Sequence, residues 1–501
     1  MKRALILTLS IVLVLCGLGV AAGVAFWQST ATSTVGEVDF ANKLAIPPLA
    51  ESRVDAQGRR VFDLTAQPGE HDFGGGSTGT WGFNGGYLGP TLRAQRGEQV
   101  VVNVRNQLDE TTTVHWHGMH LPAAMDGGPH QPVRPGATWS PTWKIDQPAA
   151  TLWYHPHPHG ETARHVYRGL AGMFLLDDPA TSVSALPSAY GVDDIPVIVQ
   201  DKKLTRGGDL SEGGFSLAGM GILGDTIAVN GTVAPYLDVT TERVRLRLLN
   251  ASNARVFDFG FADDRAFAVV GSDGGLLSAP FETDRVRLSP GERAEIVVTV
   301  RAGERAVLRS YPPDLGPNTG LMARFVGGRD SFDILEVRPA QRLGSSPAIP
   351  QKLVDVPRLE RSQAVKERDF SLTSQTINNR QMDMSRIDAT VTKDSVEIWN
   401  VVNNDGMPHN FHIHDVQFQL LSIDGGPPPP QLAGWKDTVY VEPTRRYELI
   451  IRFADYADPS TPYMFHCHVL FHEDQGMMGQ FAVVEPGQTA QPPQHEHHDH
   501  G

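Results

Sequence analysis

The sequence predicts an all-β protein built of β-sandwich domains in tandem, and three observations support this fold class. Glycine and proline are abundant, with 50 and 36 residues, which favours short strands joined by turns over long helices. Short alternations of apolar and polar residues recur along the chain. A length of 501 residues corresponds to three or four domains of roughly 100–200 residues each.

The alternating segments are of the Val-x-Val kind and are separated by Gly/Pro turns. Clear examples are Val100–Val104, Val244–Leu248, Ala294–Val300 and Tyr447–Phe453. Strands at this spacing are typical of β-sandwiches. An apolar content of 40% and a charged content of 20% are ordinary for a globular protein with real cores.

A weak internal repeat sets the number of sandwiches at three. Each repeat contains a predicted strand that ends on an asparagine, at Asn106, Asn250 and Asn403. Nine residues after Asn106 and after Asn403 comes a His-x-His unit, whereas nine residues after Asn250 comes the apolar pair Phe259 and Phe261. The middle repeat therefore has apolar rings where its neighbours have imidazoles.

The repeat divides the chain into domains and connecting segments. We expect a first domain that carries metal ligands at residues 50–180 and a middle domain without them at 190–340. A linker at 341–368 then leads to a third, ligand-bearing domain at 369–486, and residues 487–501 form a Pro/His-rich tail. The four histidines of this tail leave two alternatives open, a disordered end or a segment that collects metal.

The N-terminus has the pattern of an export signal, which we place at residues 1–34. Lys2 and Arg3 precede a largely apolar run from Ala4 to Trp27, and a Ser/Thr/Ala stretch follows. We expect export to the periplasm or to the cell exterior. The run is also long enough to remain as a membrane tether, so cleavage and anchoring both stay open.

Charge and cysteine content narrow the chemistry further. The net charge of −14 argues against a nucleic-acid partner. Cys16 lies in the predicted signal, so Cys467 is the only cysteine of the exported part and has no intramolecular disulfide partner. A free thiol in an exported protein calls for another role, and metal ligation is the obvious one.

Histidine is distributed unevenly along the chain. The chain has 19 histidines, and none lies between His165 and His409. Functional histidine is thus confined to the first and third repeats. The site should lie where those two domains meet, with the middle domain as a spacer or as part of a substrate wall.

Four His-x-His units stand out within the two outer repeats. Residues i and i+2 of a strand point to the same face, so each unit presents two imidazoles side by side. Eight imidazoles with no carboxylate among them exceed what one zinc ion uses and suggest a metal cluster. The units are His115/His117, His155/His157, His412/His414 and His466/His468.

A second set of ligands surrounds the cysteine. His409, Cys467, His472 and Met477 supply two imidazoles, a thiolate and a thioether, the ligand set of a blue-copper electron-transfer site. If the run around Cys467 is extended, its thiolate points away from the face that its two histidine neighbours share. A few covalent bonds would then join a single copper to the cluster.

These motifs resemble those of the multicopper oxidases, and most closely those of the bacterial laccase-like and cuprous-oxidase group. The four segments that carry the resemblance are HWHG, WYHPHPHG, HNFHIH and HCHVLFHEDQGMM. The resemblance implies three Greek-key domains of the cupredoxin type. It also implies four copper ions and an oxidase that takes electrons singly from a donor and passes four of them to dioxygen.

The resemblance further assigns each ligand to a copper ion. The type 1 copper would take His409, Cys467, His472 and Met477, and the type 2 copper would take His115 and His412. The two type 3 ions would take one triplet each: His117, His155 and His468, and His157, His414 and His466.

Two carboxylates resemble residues that supply protons for oxygen reduction. Asp126 lies in a Met-Asp-Gly-Gly-Pro turn, and Glu473 follows His472 directly. Forming water from dioxygen consumes protons, so a buried carboxylate relay is chemically needed. The remaining histidines of the first domain are expected at the surface or in support of ligands: His71, His120, His130, His159 and His165.

The chain departs from the group's pattern at two places. Asn410 stands where proline usually follows the first histidine of the third motif, and we expect a local change in the backbone without loss of a ligand. The stretch from Asp330 to Phe370 contains no methionine, whereas cuprous oxidases carry a methionine-rich insertion before the third domain. Asp405 and Met407 still match two positions of that group's cuprous-ion site.

The electron donor therefore stays open between cuprous ion and phenols or aromatic amines. We expect a laccase-like oxidase, acting as a monomer, with some capacity for cuprous ion. Two other functions are weaker alternatives. One is a copper-free scaffold of the kind that supports cell division, whose members have lost ligands. The other is a copper nitrite reductase, which lacks four paired histidine motifs.

Overall fold

The computed structural model describes residues 31–181, 183–212 and 219–492, and in these ranges the chain is nearly all β. Six sheets pair by segment of the chain into three successive sandwiches, as predicted. All four example strands are confirmed, at Gln99–Asn106, Arg243–Asn250, Arg293–Thr299 and Arg446–Arg452. The predicted export signal lies outside the described residues except for its last four positions.

The first sandwich packs a sheet of order β2-β3-β6-β8, with β4 and β9 alongside, on a sheet of order β5-β11-β10-β7. Apolar side chains of both sheets, such as Phe62 and Trp116, share one buried core. Its strands are β2 (Ser52–Val54), β3 (Arg60–Asp72), β4 (Ser77–Phe83), β5 (Leu92–Gln95), β6 (Gln99–Asn106), β7 (His115–His117), β8 (Thr138–Trp139), β9 (Thr142–Lys144), β10 (Ala150–His155) and β11 (Gly172–Asp177).

The middle sandwich packs a seven-stranded sheet of order β14-β13-β12-β16-β21-β18-β19 on a six-stranded sheet of order β1-β15-β23-β22-β17-β20. Leu246 and Phe259 belong to its continuous core. Its strands are β1 (Asn42–Lys43), β12 (Asp194–Lys202), β13 (Thr226–Val229), β14 (Thr232–Val233), β15 (Pro235–Thr241), β16 (Arg243–Asn250), β17 (Phe257–Phe261), β18 (Phe267–Ser272), β19 (Gly275–Thr283), β20 (Val286–Leu288), β21 (Arg293–Thr299), β22 (Ala306–Tyr311) and β23 (Phe332–Gly344).

The third sandwich packs a sheet of order β25-β24-β27-β31-β29 on a sheet of order β26-β33-β32-β28-β30. Trp399 and Phe411 lie in its core, together with Cys467. Its strands are β24 (Ala364–Thr373), β25 (Thr376–Ile377), β26 (Ala389–Thr392), β27 (Val396–Asn403), β28 (His409–Ile413), β29 (Phe418–Ile423), β30 (Thr438–Val441), β31 (Arg446–Arg452), β32 (Tyr463–His466) and β33 (Met478–Val484).

Helical segments are short and lie between strands. Two α-helices occur among the described residues, α1 (Thr162–Arg168) and α2 (Leu470–Asp474), and they contact each other across the first and third sandwiches. Within the described ranges, no helix has the length and apolar character needed to cross a membrane. The 3₁₀ segments are Ala123–Met125, Pro179–Thr181, Gly320–Phe325, Arg361–Gln363 and Pro430–Leu432.

The asparagine of the sequence repeat has the same role in all three sandwiches. The side-chain oxygens of Asn106, Asn250 and Asn403 each accept a hydrogen bond from the backbone N–H two residues later. Each side-chain nitrogen donates to two backbone carbonyls, one shortly ahead in the loop and one on a more distant segment. Because both ends of the amide are used, this residue fixes the loop that leads into β7, β17 and β28.

The segment before β2 packs on the middle sandwich. Thr34 donates its backbone N–H to the carbonyl of Ser331, and β1 pairs in parallel with β15. Residues 32–44 thus connect to a sandwich that follows them by more than a hundred positions. The domain prediction did not include this attachment.

Candidate metal centre

The four His-x-His units come together because β7 and β10 are neighbours in one sheet and β28 and β32 are neighbours in another. His155 lies opposite His115, and His412 lies opposite His466. All eight imidazoles are buried. They converge between the first and third sandwiches, as the uneven distribution of histidine predicts.

One group of three imidazoles faces a common point. Nε2 of His466 lies 3.1 Å from Nε2 of His157 and 3.2 Å from Nε2 of His414. The Nδ1 atoms of the three rings point outward to carboxylates. Ring nitrogens this close are stable when a cation lies between them, so the triplet His157, His414 and His466 fits one metal ion.

A second triplet lies beside the first. Nε2 of His155 is 3.3 Å from Nδ1 of His117 and 3.4 Å from Nε2 of His468. The distances also allow His115 to share an ion with His117 and His155. Nε2 of His117 is turned away from the triplet, toward the carboxylate of Asp437 at 3.0 Å.

His115 and His412 complete the cluster. In the described part of the chain, Nε2 of each ring is buried without a hydrogen-bond partner. The Nδ1 atom of His115 bonds to the backbone carbonyl of Asp126 at 3.1 Å, and the Nδ1 atom of His412 bonds to the backbone carbonyl of Asp437 at 2.9 Å. Both rings lie within ligand distance of His414, so the open nitrogens fit an ion at this position.

Burial favours the neutral form, which binds metals, at six of these imidazoles. Removal from water, together with neighbouring histidines, holds the pKa of His117, His155, His412 and His414 well below the usual range. The same burial lowers the pKa of His157 and His468 to about 3. Neutral imidazole is the copper-binding state, so the cluster is prepared for cations.

The cysteine site lies on the other side of the same segment. Sγ of Cys467 is 3.6 Å from Nδ1 of His409 and 3.7 Å from Nδ1 of His472, and all three side chains are buried. The backbone of Met477 bonds to Cys467 and to His472, and its side chain is fully buried. A thiolate and two imidazoles at this spacing fit one copper ion, and the distances group these three residues together.

The two histidines of this site differ in environment. Burial lowers the pKa of His472 to about 3, and its Nε2 donates to the carbonyl of Gly219 at 3.1 Å. Burial also acts on His409, but hydrogen bonds with Asp405 and Cys467 outweigh it and raise its pKa to about 9. Asp405 lies 3.3 Å from Nε2 of His409 and is partly exposed, and Met407 is packed beside the core of the third sandwich.

Both predicted carboxylates contact the cluster. Asp126 is buried, and its Oδ2 accepts a hydrogen bond from Nδ1 of His414 at 2.7 Å. Glu473 lies 3.4 Å from Nδ1 of His157 and 3.1 Å from Nδ1 of His466. Burial would raise the pKa of Glu473, but the two nearby imidazoles hold it well below its usual range.

Sequence reasoning missed an important group of residues behind the cluster. Asp437 contacts His117 and His412 and forms a buried ion pair with Arg293 of the middle sandwich, with distances down to 2.6 Å. Neither residue belongs to a histidine motif, so no spacing rule pointed to them. The only indication in the sequence was a pair of adjacent charged residues, Lys436–Asp437, among mostly apolar neighbours.

The remaining histidines of the first domain differ in how far they are buried and in what they contact. His165 is buried against Trp81 and Glu110, and His71 stacks on Tyr87. The others bond outside the cluster or are exposed: His120 to Asp455, His130 to Gln480, and His159 at the surface.

Comparison with known proteins shows which proteins this chain is similar to. Family models described as multicopper oxidase match residues 65–181, 207–308 and 354–487. A multicopper oxidase of Staphylococcus haemolyticus is 36% identical over 88% of this chain and 93% of its own length. The cell division protein FtsP of Sodalis glossinidius is 39% identical over 88% of this chain and 92% of its own.

Solved structures give the same result. A bacterial laccase-like multicopper oxidase, CueO, from Ochrobactrum sp. superposes with a TM-score of 0.80 at 38% identity, over 88% of this chain and 100% of that one. A laccase from Pediococcus acidilactici gives a TM-score of 0.79 at 35% identity, over 89% and 94%. With three matching family models and relatives that align over most of its length, the chain belongs to the multicopper oxidase family.

Proposed function

We propose that this protein couples four one-electron oxidations of a reducing substrate to the reduction of dioxygen to water. One observation carries the proposal. Ten histidines and the single exported cysteine are buried in two adjacent sets, a thiolate site and a cluster of eight imidazoles. Burying this many imidazoles without a cation would leave ring nitrogens unsatisfied.

The ligand assignment follows the groups described above. His409, Cys467, His472 and Met477 would hold the type 1 copper, and His115 and His412 the type 2 copper. Copper supplies reversible one-electron chemistry at the first position and dioxygen binding at the cluster. The two type 3 ions would be held by His117, His155 and His468, and by His157, His414 and His466.

The chain itself supplies the electron path. Cys467 is joined through the backbone to His466 and His468, which belong to different triplets of the cluster. The stiff β scaffold holds all three side chains buried, so their positions change little when an electron passes. An electron received at the thiolate thus has a covalent route of a few bonds to the cluster.

Protons would come through the two buried carboxylates. Asp126 bonds to His414, and Glu473 lies between His157 and His466. Each carboxylate would take up a proton and release it beside the cluster. We propose both as proton-transfer residues of oxygen reduction.

Two approaches to the thiolate site are available to a donor. A cleft of about 410 Å³, lined by Tyr167, Phe471 and Asn253 among others, lies beside Gly219, whose carbonyl bonds to His472. It suits a phenol or an aromatic amine. Asp405 and Met407 form the second approach, over His409, and offer an oxygen and a sulfur to cuprous ion.

The setting of the protein is also proposed. We infer export to the periplasm or the cell exterior from the N-terminal pattern, with a retained membrane tether as the alternative. We also propose the domain division at 50–180, 190–340 and 369–486; three pairs of sheets support the number of domains, whereas β23 extends to Gly344 and β24 already begins at Ala364. We propose a monomer that acts on dioxygen and a small donor.

A non-enzymatic role is favoured by one finding, the 39% identity to a cell division protein. Every predicted ligand is nevertheless present in this sequence, and the side chains of all of them are buried. The ligand set therefore supports an oxidase over a copper-free scaffold.

The test is copper content, colour and oxygen uptake on one purified sample. We expect about four copper ions per chain and an absorption band at about 600 nm from the copper–thiolate pair. We also expect oxygen consumption with cuprous ion or a phenol. Relative rates with the two donors identify the physiological class. A colourless protein that binds fewer than about three coppers under copper-replete conditions contradicts the proposal.

A further inference from the structure

The middle sandwich holds no predicted ligand, yet one of its turns reaches the metal centre. This turn, Ser289–Arg293, links β20 to β21 and is buried along its length. Gly291 has a φ of +84°, and a Cβ atom there would lie 3.1 Å from Cγ of His468 and 3.2 Å from Cε1 of His117. The backbone of the middle sandwich thus lies directly against two imidazoles.

Arg293 makes the first connection from this turn. Its guanidinium donates to both carboxylate oxygens of Asp437, at 2.7 and 2.6 Å. Its remaining N–H groups donate to the carbonyls of Thr151, Gly291 and Asp273. A bidentate pair with all donors used holds the carboxylate in one orientation.

Asp437 transmits that orientation to two imidazoles. Its Oδ1 lies 3.0 Å from Nε2 of His117, and its carbonyl oxygen lies 2.9 Å from Nδ1 of His412. His117 therefore donates through Nε2 and presents Nδ1 to the cluster, whereas His412 presents Nε2. The two rings stack with centroids 3.7 Å apart and planes 11° apart.

Ser289 and Pro290 make the second connection, through Asn410. The side-chain nitrogen of Asn410 donates to Oγ of Ser289 at 3.0 Å and to the carbonyl of Pro290 at 2.8 Å. Its oxygen accepts the backbone N–H of His468 at 2.6 Å and lies 3.6 Å from Sγ of Cys467. A proline at this position, as in the usual motif, could make none of these side-chain bonds.

We propose that the turn Ser289–Arg293 positions copper-binding histidines of both outer sandwiches. Arg293 acts on the cluster through Asp437, and Ser289 with Pro290 acts on the segment between the thiolate and the cluster through Asn410. This inference rests on the proposed function, because it requires the histidines to bind copper. The middle sandwich is then a positioning element of the site and not a spacer.

The main test is Arg293→Lys in the full chain, with Arg247→Lys as a matched control. Lysine keeps the charge but loses the bidentate pair. Arg247 belongs to the same sandwich and forms a buried bidentate pair with Asp194, away from the histidines. The number of copper ions per chain is measured at a buffered concentration of free copper. The absorption band at about 600 nm reports the thiolate site separately.

We expect Arg293→Lys to weaken copper binding at the cluster by about 10–100-fold, the usual cost of losing a partner behind a ligand. The electron paramagnetic resonance signal of the type 2 copper should change, while the blue band stays. Arg247→Lys should bind copper like the wild type. Unchanged cluster binding and an unchanged resonance signal in Arg293→Lys overturn the inference.

Asn410→Ala provides an independent test if Arg293→Lys does not fold. It should shift the blue band and the reduction potential of the thiolate site, because the N–H of His468 and the region beside Cys467 lose their partner. An unshifted band and potential count against the second connection. A wild-type protein without bound copper would instead refute the proposed function, so the two failures are distinguishable.

Discussion

Strands β7, β17 and β28 occupy equivalent places in the three sandwiches, but only the outer two carry histidine. In the first sandwich β7 pairs with β10, in the third β28 pairs with β32, and in the middle β17 pairs with β22 in the same way. At the corresponding positions β17 has Phe259 and Phe261, which are completely buried in an apolar core. One backbone arrangement thus serves packing in one domain and, in the proposed assignment, metal binding in the others.

The difference lies in what surrounds the side chains. The outer histidines have acidic or carbonyl partners behind them, such as Asp126, Glu473 and Asp437, whereas Phe259 and Phe261 belong to a cluster of buried apolar side chains. We expect paired residues on one face of a strand to make a metal site only where such partners lie behind the imidazole rings.

The largest effect is expected at the carboxylate between two cluster histidines. Glu473→Gln keeps the shape of the side chain but removes its proton-transfer capacity. Oxygen turnover should fall by about 10²-fold or more, the range typical of acid–base catalysis, while the band of the thiolate site stays. Steady-state oxygen uptake and the absorption spectrum measure the two quantities.

The neighbouring Asp474→Asn is the matched control. Asp474 is the next residue of the same helix and is partly buried, and its carboxylate accepts the backbone N–H groups of Thr162 and Ala163 at the start of α1. Its variant should keep most of the turnover. Equal losses in both variants would show that Glu473 has no special role.

A second variant tests whether a pair of histidines on one strand face is sufficient to bind copper. Phe259→His with Phe261→His gives the middle sandwich a His-Gly-His unit at the position of the outer units. We expect no additional copper and a loss of about 2–5 kcal/mol in the free energy of unfolding, because two large apolar rings leave the core. Denaturant melts and copper analysis check this, with Phe259→Leu as the variant that changes volume alone.

Extra copper per chain in that double variant would break the comparison. It would mean that the sandwich accepts a metal wherever two imidazoles share a strand face, without partners behind them.

The smallest effect concerns how the stability of the middle sandwich depends on pH through one buried lysine. Burial lowers the pKa of Lys202 to about 7, although Asp201 opposes the shift. Between about pH 7 and 10.5 the unfolded chain therefore binds more protons at this residue than the folded chain. The destabilising contribution of Lys202 grows as the pH falls through this window and is constant below it.

Lys202→Met should remove this dependence. Its advantage in unfolding free energy over the wild type is expected to rise from near zero at about pH 10.5 to on the order of 1–4 kcal/mol at about pH 7. Lys203→Met, at the exposed neighbouring position, should show no such trend. Parallel stability–pH curves for wild type and Lys202→Met would contradict the assignment.

The sequence predicted most of the ligand-bearing part of the molecule, because strand periodicity places i and i+2 side chains together whatever the loops do. It also predicted three sandwiches from the repeated asparagine. It could not predict that Arg293 reaches Asp437, since no local pattern links residues of different sandwiches that are 144 positions apart. The attachment of residues 32–44 to the middle sandwich was missed for the same reason.

Asn410 shows a different limit. The departure from proline was visible in the sequence, and His409 and His412 on either side of it each belong to a group of residues that could hold a metal ion. Two of the four partners of the asparagine amide, Ser289 and Pro290, were not predictable, because they belong to a turn of another sandwich.

The repeated asparagines have a consequence for the order of assembly. The side-chain amides of Asn106 and Asn403 bond to the backbone of the loops before the histidine strands, and Asn250 does the same where no predicted ligand is involved. These loops can therefore form without a bound ion. We expect copper to bind to loops that are already folded, so that the ion completes only the contacts among the imidazoles.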